Sequence, residues 1–165
     1  MSHTFEWCVN KTRLAIYDKQ VFYINGSGTK WWYLNGQIHR ENGPAVEFAS
    51  GTKEWRLNGK LHREDGPAIE FDNGSKYWYL NDQLHRVDGP AVEYASGTKE
   101  WRLNGKLHRL DGPAVEHTNG DKYWYFDGQI HRVNGPAVEF ADGDKRWFLN
   151  GLYYNEYDYW KELRK

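Results

Sequence analysis

A 23-residue unit, repeated along most of the chain, limits the fold more than any other feature. His39, His62, His85, His108 and His131 recur at that step, each followed by Arg. Trp32, Trp55, Trp78, Trp101, Trp124 and Trp147 keep the same interval, as do Glu47, Glu70, Glu93, Glu116 and Glu139. Gly-Pro pairs fall in phase at 43–44, 66–67, 89–90, 112–113 and 135–136. A unit this short cannot bury a core by itself, so stability has to come from contacts between neighbouring copies.

Within the unit, Ala45-Val-Glu-Phe48 alternates in polarity as a half-buried strand does. Ser50-Gly51 then turns the chain, Thr52-Lys-Glu-Trp-Arg-Leu57 alternates again, and Asn58-Gly59 is a strong tight-turn pair. Each repeat therefore reads as a β-hairpin, an extended Lys-Leu-His-Arg piece and a loop closed by Gly-Pro. Proline lacks an amide donor and suits that boundary. The period of two predicts that Val46, Phe48, Trp55 and Leu57 share one face, with Glu47, Glu54 and Arg56 on the other. Two strands per repeat at about 4.8 Å each would bring equivalent residues round every ~9.6 Å.

The ends differ from the body. Leu14–Tyr17 and Val21–Ile24 flank Asp18-Lys19-Gln20 and read as an N-terminal capping hairpin. Near the C-terminus, Asn155 is a helix N-cap candidate, followed by Glu156 and Asp158 and an apolar stripe of Tyr157, Trp160 and Leu163. The expected fold is all-β: an elongated, twisted antiparallel sheet or solenoid of about six hairpin repeats. It is expected as a single domain, with a cap over 1–27, repeats over 28–151 and a helical cap over 152–165.

Composition narrows the function classes. Leu, Ile, Val and Phe supply only about a fifth of the chain, a share often associated with disorder. The net charge of −1, with 9 Trp and 12 Tyr, points the other way and predicts a thin aromatic core. Near-neutrality does not suggest a chain held to nucleic acid or anionic membrane by its overall charge. The lone cysteine, Cys8, cannot form an intramolecular disulfide. Met1–Asn10 lacks a basic stretch followed by an apolar one, and no apolar run approaches membrane-spanning length, so a cytoplasmic location is expected.

A second periodicity distinguishes alternate repeats. Ser50–Arg63 is identical to Ser96–Arg109. The position of Arg56 reads Tyr33, Arg56, Tyr79, Arg102, Tyr125 and Phe148, and that of Glu54 reads Trp31, Glu54, Tyr77, Glu100, Tyr123 and Arg146. Duplication of a two-repeat block explains the pattern. It also creates a surface of Arg between Tyr rings, a composition common at protein interfaces. Tyr33, Arg56, Tyr79, Arg102 and Tyr125 are therefore the candidate binding row for a protein partner.

The string Asn58-Gly-x-x-His-Arg-x-x-Gly-Pro-Ala68, with its 23-residue step and Gly-x-Lys-x-Trp strand, resembles MORN-type repeats. It looks most like the divergent form found in bacteriophage and giant-virus proteins. The resemblance covers 28–151 and the tyrosine-rich helical tail; Arg stands where the typical unit has Gly after its His, and Pro follows a later Gly. It implies an extended sheet of hairpins acting as a scaffold or interaction module. In the phage-like form it implies an accessory protein that inhibits or redirects a host factor in the host cytoplasm.

The His-Arg pairs are the remaining chemical candidates. Metal ligands must sit within about 2 Å of one ion, whereas repeat spacing separates these histidines by ~9.6 Å. Five near-equal copies also lack the single privileged site that catalysis needs. No metal, cofactor or enzymatic activity is expected. In the structural role, each His bonds a loop backbone group and each Arg pairs with a periodic Glu or a loop carboxylate such as Glu64. The functional rival is a row of Arg40, Arg63, Arg86, Arg109 and Arg132 that binds phosphates of a nucleotide or oligonucleotide, with tyrosines stacking bases.

Overall fold

A computed structural model describes residues 5–9, 12–17 and 20–165, with side chains from Val21 onward. The expected Asp18-Lys19 turn and the Cys8 thiol lie outside what is described. The chain is mostly β and forms two compact units, Met1–Gln83 and Leu84–Lys165.

In the first unit an antiparallel ladder runs through Phe5–Val9, Thr12–Tyr17, Gln20–Ile24, Lys30–Leu34, Val46–Glu47, Lys53–Glu54, Ile69–Glu70 and Lys76–Tyr77, in that order. The expected N-terminal hairpin is present, and a further strand, Phe5–Val9, pairs with its first arm. In the second unit the ladder runs through Val92–Glu93, Lys99–Glu100, Val115–Glu116, Lys122–Tyr123, Val138–Glu139, Lys145–Leu149 and Leu152–Tyr154. Each repeat thus adds two rungs, as its sequence predicts.

The piece after the ladder strand is a second hairpin rather than a lone extended segment. Arg56–Leu57 pairs with Lys60–Leu61, Arg102–Leu103 with Lys106–Leu107, and Tyr125–Phe126 with Gln129–Ile130. Asn58 and Gly59, at φ 52° and 80°, make the two-residue turn whose twist matches a hairpin. These small hairpins bond to one another: Arg40 donates its amide to the Arg56 carbonyl, and Gly59 donates to Ile38. Arg109 to Tyr125 and Gly128 to Leu107 repeat the pattern in the second unit.

The expected faces are overturned. Val46 lies opposite Glu54, and Glu54 opposite Ile69, so these side chains share a face. Trp55 lies on the other side with the periodic glutamates, because one Arg63 guanidinium touches both Trp55 and Glu70. The cause is the first turn. Phe48 and Gly51 close it through Phe48 N–H to the Thr52 carbonyl and Gly51 N–H to the Phe48 carbonyl, with Gly51 at φ 105°. It is a three-residue loop with glycine in the left-handed position, not a two-residue turn. One extra residue shifts the register by one and sends every following side chain to the opposite face.

The core differs accordingly. Among the described residues the buried apolar side chains are Ala45-Val46, Ala68-Ile69, Ala91-Val92, Ala114-Val115 and Ala137-Val138, with Leu149 and Tyr159 at the C-terminal end. The repeat tryptophans are half-buried, so the expected aromatic core is corrected to a small aliphatic one. The alanines are pinned by the backbone: the Trp55 amide donates to the Ala68 carbonyl at 2.8 Å, and Trp101 to Ala114 likewise.

The C-terminal helix covers Glu156–Glu162, with Asn155 capping the Asp158 amide as expected. Its expected apolar stripe is not what docks. Tyr157 is 77% exposed, and Trp160 and Leu163 are also exposed, whereas Tyr159 is buried. The Tyr159 hydroxyl donates to the Arg132 carbonyl at 2.6 Å and accepts from the Gly135 amide at 3.2 Å, fastening the helix to the last Gly-Pro loop. No described helix is long and apolar enough to cross a membrane.

Candidate interaction surface

Each His-Arg-x-x-Gly-Pro loop is built around its arginine. The guanidinium carbon of Arg109 sits 3.9 Å from the Trp101 ring centre, and those of Arg63 and Arg132 sit 4.1 and 4.0 Å from Trp55 and Trp124. Nη1 of Arg109 donates to the Pro113 carbonyl at 3.2 Å and to Glu116 at 2.9 Å, while Nε donates to Asp111 at 3.0 Å. Arg63 and Arg86 repeat this with Asp65 and Glu70, and with Asp88 and Glu93. Arg132 uses Asn134 and Glu139, and Arg40 reaches the Pro44 carbonyl and lies 3.6 Å from Glu47. The hydrogen bond from the neighbouring arginine holds Asp65, Asp88 and Asp111 below the usual carboxylate pKa.

The loop glycines follow from this packing. A Cβ on Gly66, Gly89 or Gly112 would lie 2.8 Å from the guanidinium carbon of the loop's own arginine. At these three positions a side chain would push the guanidinium out of its seat, whereas the backbone angle sets no bar.

The Tyr/Arg row is also engaged. Arg56 donates from Nε to Glu54 at 2.7 Å and from Nη1 to the Gly59 carbonyl at 2.8 Å; Arg102 does the same with Glu100 and Gly105. The Tyr94 hydroxyl adds a bond to Glu100. Tyr33, Tyr79 and Tyr125 are half-buried. The two candidate rows meet through backbone bonds, Arg63 to the Tyr79 carbonyl and Arg109 to that of Tyr125.

The histidines tie successive repeats together. Nδ1 of His108 accepts the Asp127 amide at 3.2 Å and Nδ1 of His131 accepts the Asn150 amide at 3.0 Å. Nδ1 of His39 and His85 lies within reach of both the backbone amide and the side-chain Oδ1 of Asn58 and Asn104. In His108 and His131, where Nδ1 accepts from the backbone amide, the proton of the neutral ring sits on Nε2.

Within each unit the surface between consecutive Gly-Pro loops is hollow. In the second unit, one hollow of about 770 Å³ is floored by Trp101, Leu103 and His108 and rimmed by Val87 and Leu110. The next, of about 570 Å³, has Trp124, Phe126 and His131 below Leu110 and Val133. The first unit has a comparable hollow of about 710 Å³ at Trp55, Leu57 and His62, with Glu41 and Glu64 at the rim. Val87, Leu110 and Val133 are 84%, 82% and 56% exposed. Sequence reasoning passed over these residues. Their signal was an apolar side chain in a position, two before Gly, where Glu41 and Glu64 show that a charge is accepted. The chain matches no known family model, and no curated protein resembles it significantly in sequence.

Proposed function

We propose that the chain is a non-enzymatic interaction module that holds a protein partner along its Gly-Pro loops. The observation that carries this reading is the series Val87, Leu110 and Val133, three solvent-exposed apolar residues in consecutive repeats above two aromatic-floored hollows. Apolar side chains clustered on a surface and bordered by polar groups mark interaction sites. The MORN-like character of the repeat, and the accessory role it implies in phage-like relatives, agree with such a module.

The phosphate-binding alternative draws less support. Nε and Nη1 of Arg63, Arg86, Arg109 and Arg132 are already bonded inside their own repeats, so gripping a phosphate by two points there would displace an existing bond. Arg56 and Arg102 are committed likewise.

Parallel affinity capture tests the proposal, using the chain, Leu110→Asp with Val133→Asp, and Arg56→Ala with Arg102→Ala. Proteins retained by the chain should be lost from the first variant at unchanged melting temperature. The same proteins on both would refute loop-side binding, and their loss from the arginine variant alone would move the site to the Tyr/Arg row.

A further inference from the structure

The two hollows of the second unit are chemically alike, and together they define a ligand shape. Each offers a tryptophan, a second apolar side chain and an imidazole, and Leu110 lines both. Because Nδ1 of His108 and His131 accepts a backbone amide, Nε2 carries a proton to donate. In the first unit the corresponding nitrogens of His39 and His62 face Glu41 and Glu64 at 3.8 and 3.6 Å. In the second unit that loop position holds Leu110 and Val133 instead of a carboxylate. The charges beside the hollows are internally paired, Arg109 with Asp111 and Glu116 and Arg132 with Glu139. An uncharged occupant complements such a surface.

Successive hollows are one repeat apart, which is two ladder rungs or about 9.6 Å. A polyproline-II helix returns to the same face every three residues, a rise of about 9.3 Å, and its carbonyls are unpaired. A β-strand returns to one face every ~6.7 Å, out of step with the hollows. An α-helix comes near the spacing at seven residues, about 10.5 Å, but its carbonyls are spent on internal bonds. We propose, building on the interaction-module reading, that the second unit binds a proline-rich segment in polyproline-II form. One apolar residue in every three enters a hollow, and the His108 and His131 Nε2–H groups donate to the segment's carbonyls.

The test uses fluorescein-labelled (Pro-Pro-Leu)5 and a peptide of the same composition ordered to break the three-residue period, each titrated by fluorescence anisotropy. The periodic peptide should bind saturably below about 1 mM, and about tenfold more tightly than the aperiodic one. Leu110→Asp, at a position 82% exposed and so able to fold, should weaken the periodic peptide by about tenfold. Equal affinity for the two peptides, or an unchanged affinity in the variant, overturns the proposal. A random-peptide display selection on the chain and on the variant separates the two levels. Ligands without the three-residue period that are lost on Leu110→Asp overturn the polyproline assignment and leave the interaction module standing. A selection that enriches nothing overturns both.

Discussion

Gly112→Ala isolates what the loop architecture contributes. The new Cβ would stand 2.8 Å from Cζ and 3.0 Å from Nε of Arg109, inside contact distance. Gly112 carries no positive φ, so the backbone itself accepts alanine. The guanidinium must therefore move off Trp101, giving up a cation–π contact of about 0.5–1 kcal/mol. It also loses its bonds to the Pro113 carbonyl and Glu116, together about 1–2 kcal/mol for a partly solvated charged donor. The exposed Asp111 can follow Arg109 and is left out of the sum. The expected cost is about 2 kcal/mol, or roughly 4–8 °C in melting temperature for a chain of this size. Thermal denaturation of Gly112→Ala, Arg109→Ala and the double variant forms a cycle. With Arg109 truncated, Gly112→Ala should cost little. If it costs as much as with Arg109 present, the close-approach explanation of the loop glycine is wrong.

Tyr159→Phe leaves the Arg132 carbonyl and the Gly135 amide without their hydroxyl partner, at a cost of about 1–3 kcal/mol, and hydrogen exchange should show faster exchange at the Gly135 amide. Burial raises the Tyr159 pKa above 10.0, so the folded chain keeps this proton where the unfolded chain loses it. Stability should therefore fall as pH climbs past 10, and Tyr159→Phe should lessen that fall in alkaline melts. Asp65, Asp88 and Asp111 run the opposite way: their folded pKa is depressed by arginine, so their contribution is present above 3.8 and lost as pH drops through the folded value. Changing all three to Asn should flatten the acid limb of the stability curve. Ala114→Val enlarges a side chain with no exposed surface and should destabilise by about 1–3 kcal/mol in chemical denaturation; a neutral result would show slack around the buried alanine row.

The sequence was most legible where a residue type answers a local backbone need. Asn58-Gly59 announced a two-residue turn because both residues tolerate positive φ, and the turn is there. Asn155 announced the helix start because its side chain can take an orphan amide, and it does. The faces were illegible for a reason of equal simplicity. Ser50-Gly51 is compatible with turns of two or three residues, and only the pairing of Glu47 with Lys53 decides between them. Parity errors propagate, so Trp55 was placed with Val46 when it belongs with the arginine. The helix stripe failed because periodicity marks a face without saying whether anything covers it; Tyr159, one residue from Trp160, is the side chain that finds polar partners in the last loop.

The repeat also explains where specificity can reside. His, Arg, Gly, Pro, Ala and Trp in each unit are fixed by mutual contact: imidazole to the next turn, guanidinium to ring, carbonyl and carboxylate, glycine to guanidinium, alanine to the tryptophan amide. Altering any of them changes the scaffold. The residue after Arg contacts the frame only loosely, Glu41 and Glu64 standing 3.8 and 3.6 Å from the histidine before them, and it varies as Glu41, Glu64, Val87, Leu110 and Val133. It stands on the rim of each described hollow. A repeat whose other positions hold one another in place, and which leaves this one position variable, separates stability from recognition. The change from Glu in the first unit to Val or Leu in the second then alters what the surface can hold without touching how it folds.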